Sequence, residues 1–164
     1  MSLTRQEVTI VARSLFAASG ELNRINVSSS SRRPLKLRVL LVEDDEGDAY
    51  LIRRALAKNP WVGEVVLAED GVEALDLIDR GAVRPDLAIV DLNMPRKDGL
   101  TLLKDFAIRD SVRFPSIVLT SSKSGADALR STKRGAVAFL TKPKSVEQLA
   151  VALDRVICDA QACM

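Results

Sequence analysis

The groups in this sequence best able to do chemistry each follow an apolar run. Glu43-Asp44-Asp45 follow Leu37 to Val42, and Asp91 with Asn93 comes at the end of a run that starts at Leu87. Thr120-Ser121-Ser122 close a run from Ser116, and Lys142-Pro143 close one from Ala136. If these runs are strands of one parallel sheet, their carboxyl ends share an edge, and sites of open α/β sheets lie at that edge. Three carboxylates, a hydroxyl and an ammonium would then converge. Carboxylates brought to ~4 Å repel by about 4 kcal/mol per pair at an effective dielectric of ~20. A cation relieves this. Oxygen-only ligands restrict the choice to Mg²⁺, Mn²⁺ or Ca²⁺, and Mg²⁺ suits a site with few carboxylates and retained water. The loops lack the twelve-residue calcium pattern.

Singly, each group has an ordinary explanation. Acidic residues after a strand often serve as helix N-terminal charges, Asp91 could be a turn residue, Thr120 a strand former and Lys142 a solvated cation. Their joint placement at the ends of four strands of one sheet is what points to a site.

The residues absent from the chain narrow the chemistry further. There are 24 Lys+Arg, 22 Asp+Glu, two Cys and no His among 164 residues. Without His there is no Ser-His-Asp or Cys-His catalysis, no His-ligated zinc and no role as a histidine kinase or His phosphocarrier. Cys158 and Cys163 form neither a disulfide framework nor a metal site, which suits a reducing cytoplasm. No apolar run is long enough to span a membrane, and no secretory leader is expected.

The elements needed to position these groups are legible as a strand–helix alternation. Strands are expected at Leu37 to Val42, Val62 to Leu67, Leu87 to Leu92, Ser116 to Thr120 and Ala136 to Thr141. A helix is expected from Asp48 to Lys58, with Ala49, Ile52, Ala55 and Leu56 inward. Asp70 caps a second, whose inner positions are Val72, Leu75 and Ile78 and whose stop is Gly81. Asp98 starts a third, holding Leu102, Leu103 and Phe106. The fourth, about 125–134, has Leu129 as its only large apolar residue, so Leu129→Ala is expected to loosen it. Ser145, with Gln148 in capping-box relation, opens the last, burying Leu149, Ala152, Leu153, Val156 and Ile157. Arg-Gly-Ala-Val occurs at 80–83 and at 134–137, each time as a helix stop. Five β-α units with short connections imply a doubly wound five-stranded parallel sheet, flavodoxin-like, in the order 2-1-3-4-5.

The sequence divides into an N-terminal segment 1–36, a main domain 37–160 and a tail 161–164. Residues 1–37 carry six basic and two acidic groups, and the remainder 18 basic and 20 acidic. The basic residues are scattered, so nucleic-acid binding is not expected. Thr4 and Glu7 form a capping box, and Val8, Val11, Ala12, Leu15 and Phe16 follow helical spacing, which predicts an amphipathic helix over 4–19. It is expected to pack on the main domain or a second copy rather than to hold a membrane stably. Its tether is the Ser-rich stretch Val27 to Pro34.

Leu41-Val42-Glu43-Asp44-Asp45, Asp91-Leu92-Asn93-Met94-Pro95 with Asp98-Gly99, Thr120-Ser121 and Lys142-Pro143 resemble the motifs of the receiver domain of two-component response regulators. The intervals 44→91, 91→120 and 120→142 are similar to the family's, and the resemblance covers about residues 37–160. It implies that Asp91 accepts a phosphoryl group from a partner histidine kinase or His phosphotransfer protein. Asp44 would bind Mg²⁺ directly, Glu43 through water, and Asp91 and the backbone carbonyl of Asn93 would complete the ligands. Lys142 would pair with the phosphoryl group and Thr120 would swing to donate to it. Phe139 on the fifth strand would then move into the vacated space, and the face of the fourth helix, fifth strand and last helix would signal to a downstream protein. The segment Glu43 to Ala49 with Leu119 to Ser122 also resembles small regulators serving phytochrome-type kinases. The chain runs on only briefly after the last helix, so a stand-alone regulator without an effector domain is expected. It is not expected to be an enzyme beyond its own phosphorylation and dephosphorylation. A homodimer through the last helix and fifth strand is left open.

Two other readings use the same residues. A Mg²⁺-dependent aspartyl-phosphate phosphohydrolase needs a second Asp two residues after the nucleophile, where Asn93 stands. A degenerate receiver acting only as a binding module is disfavoured by the complete acidic set with Thr120 and Lys142.

Overall fold

In a computed structural model the described residues are 36–109 and 114–162, with side chains to 159. The helix expected at 4–19, its tether, Cys163 and Met164 lie outside them. Strands β1 (Leu37–Val42), β2 (Val62–Ala68), β3 (Leu87–Val90), β4 (Ser116–Thr120) and β5 (Ala136–Thr141) alternate with helices α1 (Glu46–Leu56), α2 (Gly71–Asp79), α3 (Gly99–Ile108), α4 (Gly125–Lys133) and α5 (Val146–Ala162). The strands are parallel in the order β2-β1-β3-β4-β5. Helix α5 thus continues past residue 160, where the sequence reading placed the domain's end.

The period-two alternation of strand side chains sorts them to two faces. Val39, Leu41, Leu87, Ile89, Ile117 and Leu119 meet α1 and α5, through Ile52, Leu56, Leu153 and Ile157 among others. Leu40, Val42, Ala88 and Val90 meet α2 and α3 through Ala74, Leu75, Leu102 and Phe106. A smaller cluster joins Leu92, Leu103, Val118, Ala136 and Phe139, with Ala128 of α4 against it. Because the chain leaves β1 into α1 on one face and the neighbouring β3 into α3 on the other, a crevice opens beyond the ends of β1 and β3. Among the described residues no helix is long and apolar enough to cross a membrane.

Local departures from the sequence reading have local causes. Helix α1 starts at Glu46 rather than Asp48, because Asp45 is the cap: its Oδ1 accepts from the Asp48 N–H at 2.8 Å. Strand β3 ends at Val90, although the Asp91 N–H still donates to the Val42 carbonyl at 3.0 Å, and Asp91 Oδ1 accepts from the Leu92 N–H at 2.8 Å. Val72 is exposed, and Gly71 and Ala74 take the inner positions with Leu75. The two Arg-Gly-Ala-Val fragments do stop helices alike: Gly81 and Gly135 have φ of 67° and 97°, a left-handed backbone that glycine adopts without Cβ strain.

Helix α4 departs most. Leu129, expected inward, is 58 % exposed. The fully buried position is Ser131, whose Oγ donates to the Asp127 carbonyl at 2.8 Å. Leu129 therefore anchors the helix little, and its truncation removes little burial. Urea denaturation should show Leu129→Ala within about 0.5 kcal/mol of the parent protein. Ile52→Ala, at a site 2 % exposed between α1 and the sheet, should cost about 2–4 kcal/mol.

Candidate functional site

Strand β1 ends at Val42, and the next residue, Glu43, stays tied to β2, its N–H donating to the Ala68 carbonyl at 3.0 Å. Glu43 is 2 % and Asp91 6 % exposed, while Asp44 faces solvent. One carboxylate oxygen from each of Glu43, Asp44 and Asp91 falls within a 4.8 Å group. The Asp91 N–H donates to the Val42 carbonyl at 3.0 Å, which ties the two acidic strand ends together.

Lys142 reaches this group from the end of β5. Its Nζ lies 2.7 Å from Glu43 Oε2, 2.7 Å from Asp48 Oδ2 and 3.7 Å from Asp91 Oδ2. The aligned hydrogen bond goes to Asp48. Glu43 Oε2 receives the ammonium's charge but has no aligned donor, although it is buried. Burial pushes the Glu43 carboxyl up to about 7, with the Asp91 charge adding to the rise and Lys142 opposing it. For Lys142, burial acts against its charge but is outweighed by the hydrogen bond to Asp48 and by the nearby Glu43 and Asp91 carboxylates, so its pKa is raised.

One ammonium thus faces several carboxylates, and a buried carboxylate oxygen lacks a donor. Hard oxygen ligands, one open to water and two buried, fit a divalent ion such as Mg²⁺ or Mn²⁺. Asn93, two residues beyond Asp91, is exposed at the start of the β3–α3 loop.

Thr120 is fully buried at the end of β4, and its Oγ1 accepts from the Ser122 N–H at 3.3 Å. The Ser122 hydroxyl donates to Asp127 Oδ2 at 2.6 Å and accepts from the Ser124 N–H at 3.2 Å. The hydroxyl at the site is therefore wired to the first turn of α4. Phe139 is 9 % exposed and packed with Leu92, Leu103 and Val118.

Two residues matter more than their motif suggested. The sequence gives Asp98 a helix to start but gives Gly99 no task. A Cβ on Gly99 would lie 2.1 Å from the Asp91 carbonyl oxygen, so only glycine lets α3 start against the backbone of Asp91. Asp98 caps that helix, accepting from the Thr101 N–H at 3.0 Å and the Thr101 hydroxyl at 2.8 Å. Asp48 reads in sequence as a helix N-terminal charge and becomes the hydrogen-bond partner of Lys142 only when β5 is brought beside α1.

The chain has clear relatives. The family model for the response regulator receiver domain matches residues 39–154. The response regulator MprA of a Mycobacterium species (strain KMS) is 37 % identical over 115 residues, which are 70 % of this chain and 48 % of that protein. The transcriptional regulatory protein TrcR of Mycobacterium tuberculosis is 36 % identical over 138 residues, 84 % of this chain and 50 % of the relative. The chain thus spans about half the length of these curated relatives. Among solved structures, the phosphorylated cyanobacterial phytochrome response regulator RcpA superposes with a TM-score of 0.71 at 30 % identity, covering 79 % of this chain and 96 % of that one. The bacteriophytochrome response regulator AtBRR gives 0.62 at 36 % identity, covering 78 % and 94 %. The Mn²⁺-bound form of response regulator Rcp1 gives 0.66 at 28 % identity, covering 73 % and 91 %.

Gly99→Ala should push α3 off Asp91 and cost more than about 2 kcal/mol in chemical denaturation. The raised Glu43 pKa gives a pH signature with a definite sign. Below the ordinary glutamate value the carboxyl is protonated folded and unfolded, and no penalty arises. As pH rises from there to about 7, the unfolded chain ionises first and stability falls, the penalty being complete above about 7. In metal-free protein the loss should be roughly 3 kcal/mol at most. Thermal melts across this range should show it, and Glu43→Gln should flatten the slope.

Proposed function

The chain belongs to the receiver-domain family of response regulators, and on that premise we propose that it takes a phosphoryl group onto Asp91 from a partner histidine kinase or His phosphotransfer protein. The new bond joins an Asp91 carboxylate oxygen to phosphorus as the phosphorus–imidazole nitrogen bond breaks. The observation that carries the reading is the buried Asp91, tied through Oδ1 to the Leu92 N–H, with Lys142 Nζ 3.7 Å from Oδ2. Its carboxylate plane is thus held for attack, and catalysis here is placement plus electrostatics.

Mg²⁺, held by Asp44, by Glu43 through water, by Asp91 and by the Asn93 carbonyl, would supply the charge that neutralises the phosphoryl oxygens. Lys142 carries a second, fixed positive charge. It needs only to transfer its hydrogen bond from Asp48 to a phosphoryl oxygen. On this reading the chain acts only in its own phosphorylation and dephosphorylation, because Asn93 offers no acid or base where a phosphohydrolase needs one.

Phosphorylation adds about −1.5 to −2 charges and new acceptor oxygens. Thr120 answers by turning its hydroxyl to the phosphoryl group, which releases the Ser122 N–H. Ser122 holds Asp127 and the Ser124 N–H, so the rearrangement passes to α4. This helix has no side-chain cap bond at Ser124 and little apolar anchoring, as a bistable element requires. The altered face, with β5 and α5, then signals to a downstream protein.

Incubation with Mg²⁺ and acetyl phosphate, followed by phosphate-affinity electrophoresis, should retard the wild-type band and leave Asp91→Asn unshifted. An unshifted wild-type band would overturn the reading.

A further inference from the structure

A second set of charges lies one loop away from the carboxylates. After Asp91 and Asn93 the β3–α3 loop buries Met94 among the residues under α2 and α3, then turns sharply at Arg96. Arg96 has a φ of 61°, in the left-handed region that a residue with a Cβ enters under strain. The Lys97 N–H donates to the Pro95 carbonyl at 2.7 Å, closing a three-residue turn centred on Arg96. Such turns with positive φ at the centre are rare and strained, and persist where the surroundings hold them.

Here the surroundings are α2. The Arg96 guanidinium pairs with Asp70 Oδ2, and Asp70 is 1 % exposed. Asp70 Oδ1 accepts from the Val72 N–H at 2.7 Å and the Glu73 N–H at 3.0 Å. One buried carboxylate therefore caps α2 with one oxygen and grips the β3–α3 loop with the other. The loop also lies directly on the first residue of α2, since a Cβ on Gly71 would come within 2.9 Å of Lys97 Cγ and 3.1 Å of the Lys97 carbonyl oxygen. Lys97 reaches on to Asp105 of α3.

We propose that Arg96 and Asp70 are positioning residues for the acidic site, clamping the β3–α3 loop so that the backbone between Asp91 and Arg96 stays in register with Glu43 and Asp44. The proposal rests on the reading of that site as a divalent-ion and phosphoryl-acceptor centre. Neither residue touches the site; both act through the backbone at Asn93, which lies between a fixed Asp91 and a fixed Arg96. Groups that orient ligands from one step away commonly tune metal affinity by 10–100-fold.

Glycine separates the clamp from the strain. Arg96→Gly accepts a φ of 61° without a Cβ clash, so the turn survives while the guanidinium is lost. Arg96→Lys keeps the charge without the planar fork. Asp70→Asn keeps an oxygen for the α2 cap while removing the charge. Hydrogen exchange of the amides of 93, 94 and 96–98 in metal-free protein, with Mn²⁺ titration by calorimetry, reads both ends of the coupling. In Arg96→Gly these amides should exchange faster and Mn²⁺ should bind about tenfold more weakly. Asp70→Asn should match it, the double variant should be no worse, and Arg96→Lys should recover part of the loss. Unchanged loop exchange and unchanged Mn²⁺ affinity in Arg96→Gly, with wild type binding Mn²⁺, would overturn the clamp alone. A wild type that binds no Mn²⁺ would overturn the divalent-ion reading, and the clamp's purpose with it.

Discussion

Negative charge crowded at the edge of the sheet governs the rest of the molecule. Glu43, Asp44 and Asp91 converge within 4.8 Å, and burial of Glu43 and Asp91 removes most of the water that would screen them. Lys142 is the cation the fold brings to them, and it is shared with Asp48. A single ammonium does not balance this set, and burial raises the Glu43 carboxyl to about 7, with the Asp91 charge adding to the rise. Such an arrangement responds strongly to added charge of either sign. A divalent ion relieves it, and a phosphoryl group would load it further, so under the proposed chemistry the ion and the phosphoryl group are energetically coupled.

Holding like charges together requires rigid backbone, and the architecture supplies it by close approach rather than by side-chain bulk. Helix α3 starts against the Asp91 carbonyl because Gly99 has no Cβ, and the β3–α3 loop lies on α2 because Gly71 has none. Asp98 and Asp70 then fix the two helix starts through their cap hydrogen bonds. The apolar faces of the sheet, filled from α1 and α5 on one side and α2 and α3 on the other, make this frame stiff.

The fourth helix is exempt from that stiffness. Its large apolar residue points to solvent, its buried position is a serine, and its cap lacks a side-chain bond. What ties it to the site is the polar chain from Thr120 through Ser122 to Asp127. Polar links of this kind can exchange partners at small net cost, because one hydrogen bond replaces another. An apolar anchor would have to be pulled out of the core. The compliant element is thus placed where the site can reach it.

Much of this is determined by the sequence alone. Apolar runs at regular intervals dictate five strands, their intervening periodicity dictates five helices, and short connections between parallel strands leave few topologies. The acidic trio, Thr120 and Lys142 follow directly, because a parallel sheet delivers every residue after a strand to one edge. What the sequence could not decide depends on distance between segments far apart in the chain. Leu129 and Val72 look inward by spacing alone, yet neighbouring elements leave both exposed. Asp48 becomes the partner of Lys142 across 94 residues, Gly99 is required by a backbone approach, and Arg96 is held by the aspartate that caps α2. Periodicity reports on one element at a time, whereas contacts between elements are fixed only when packing brings them together.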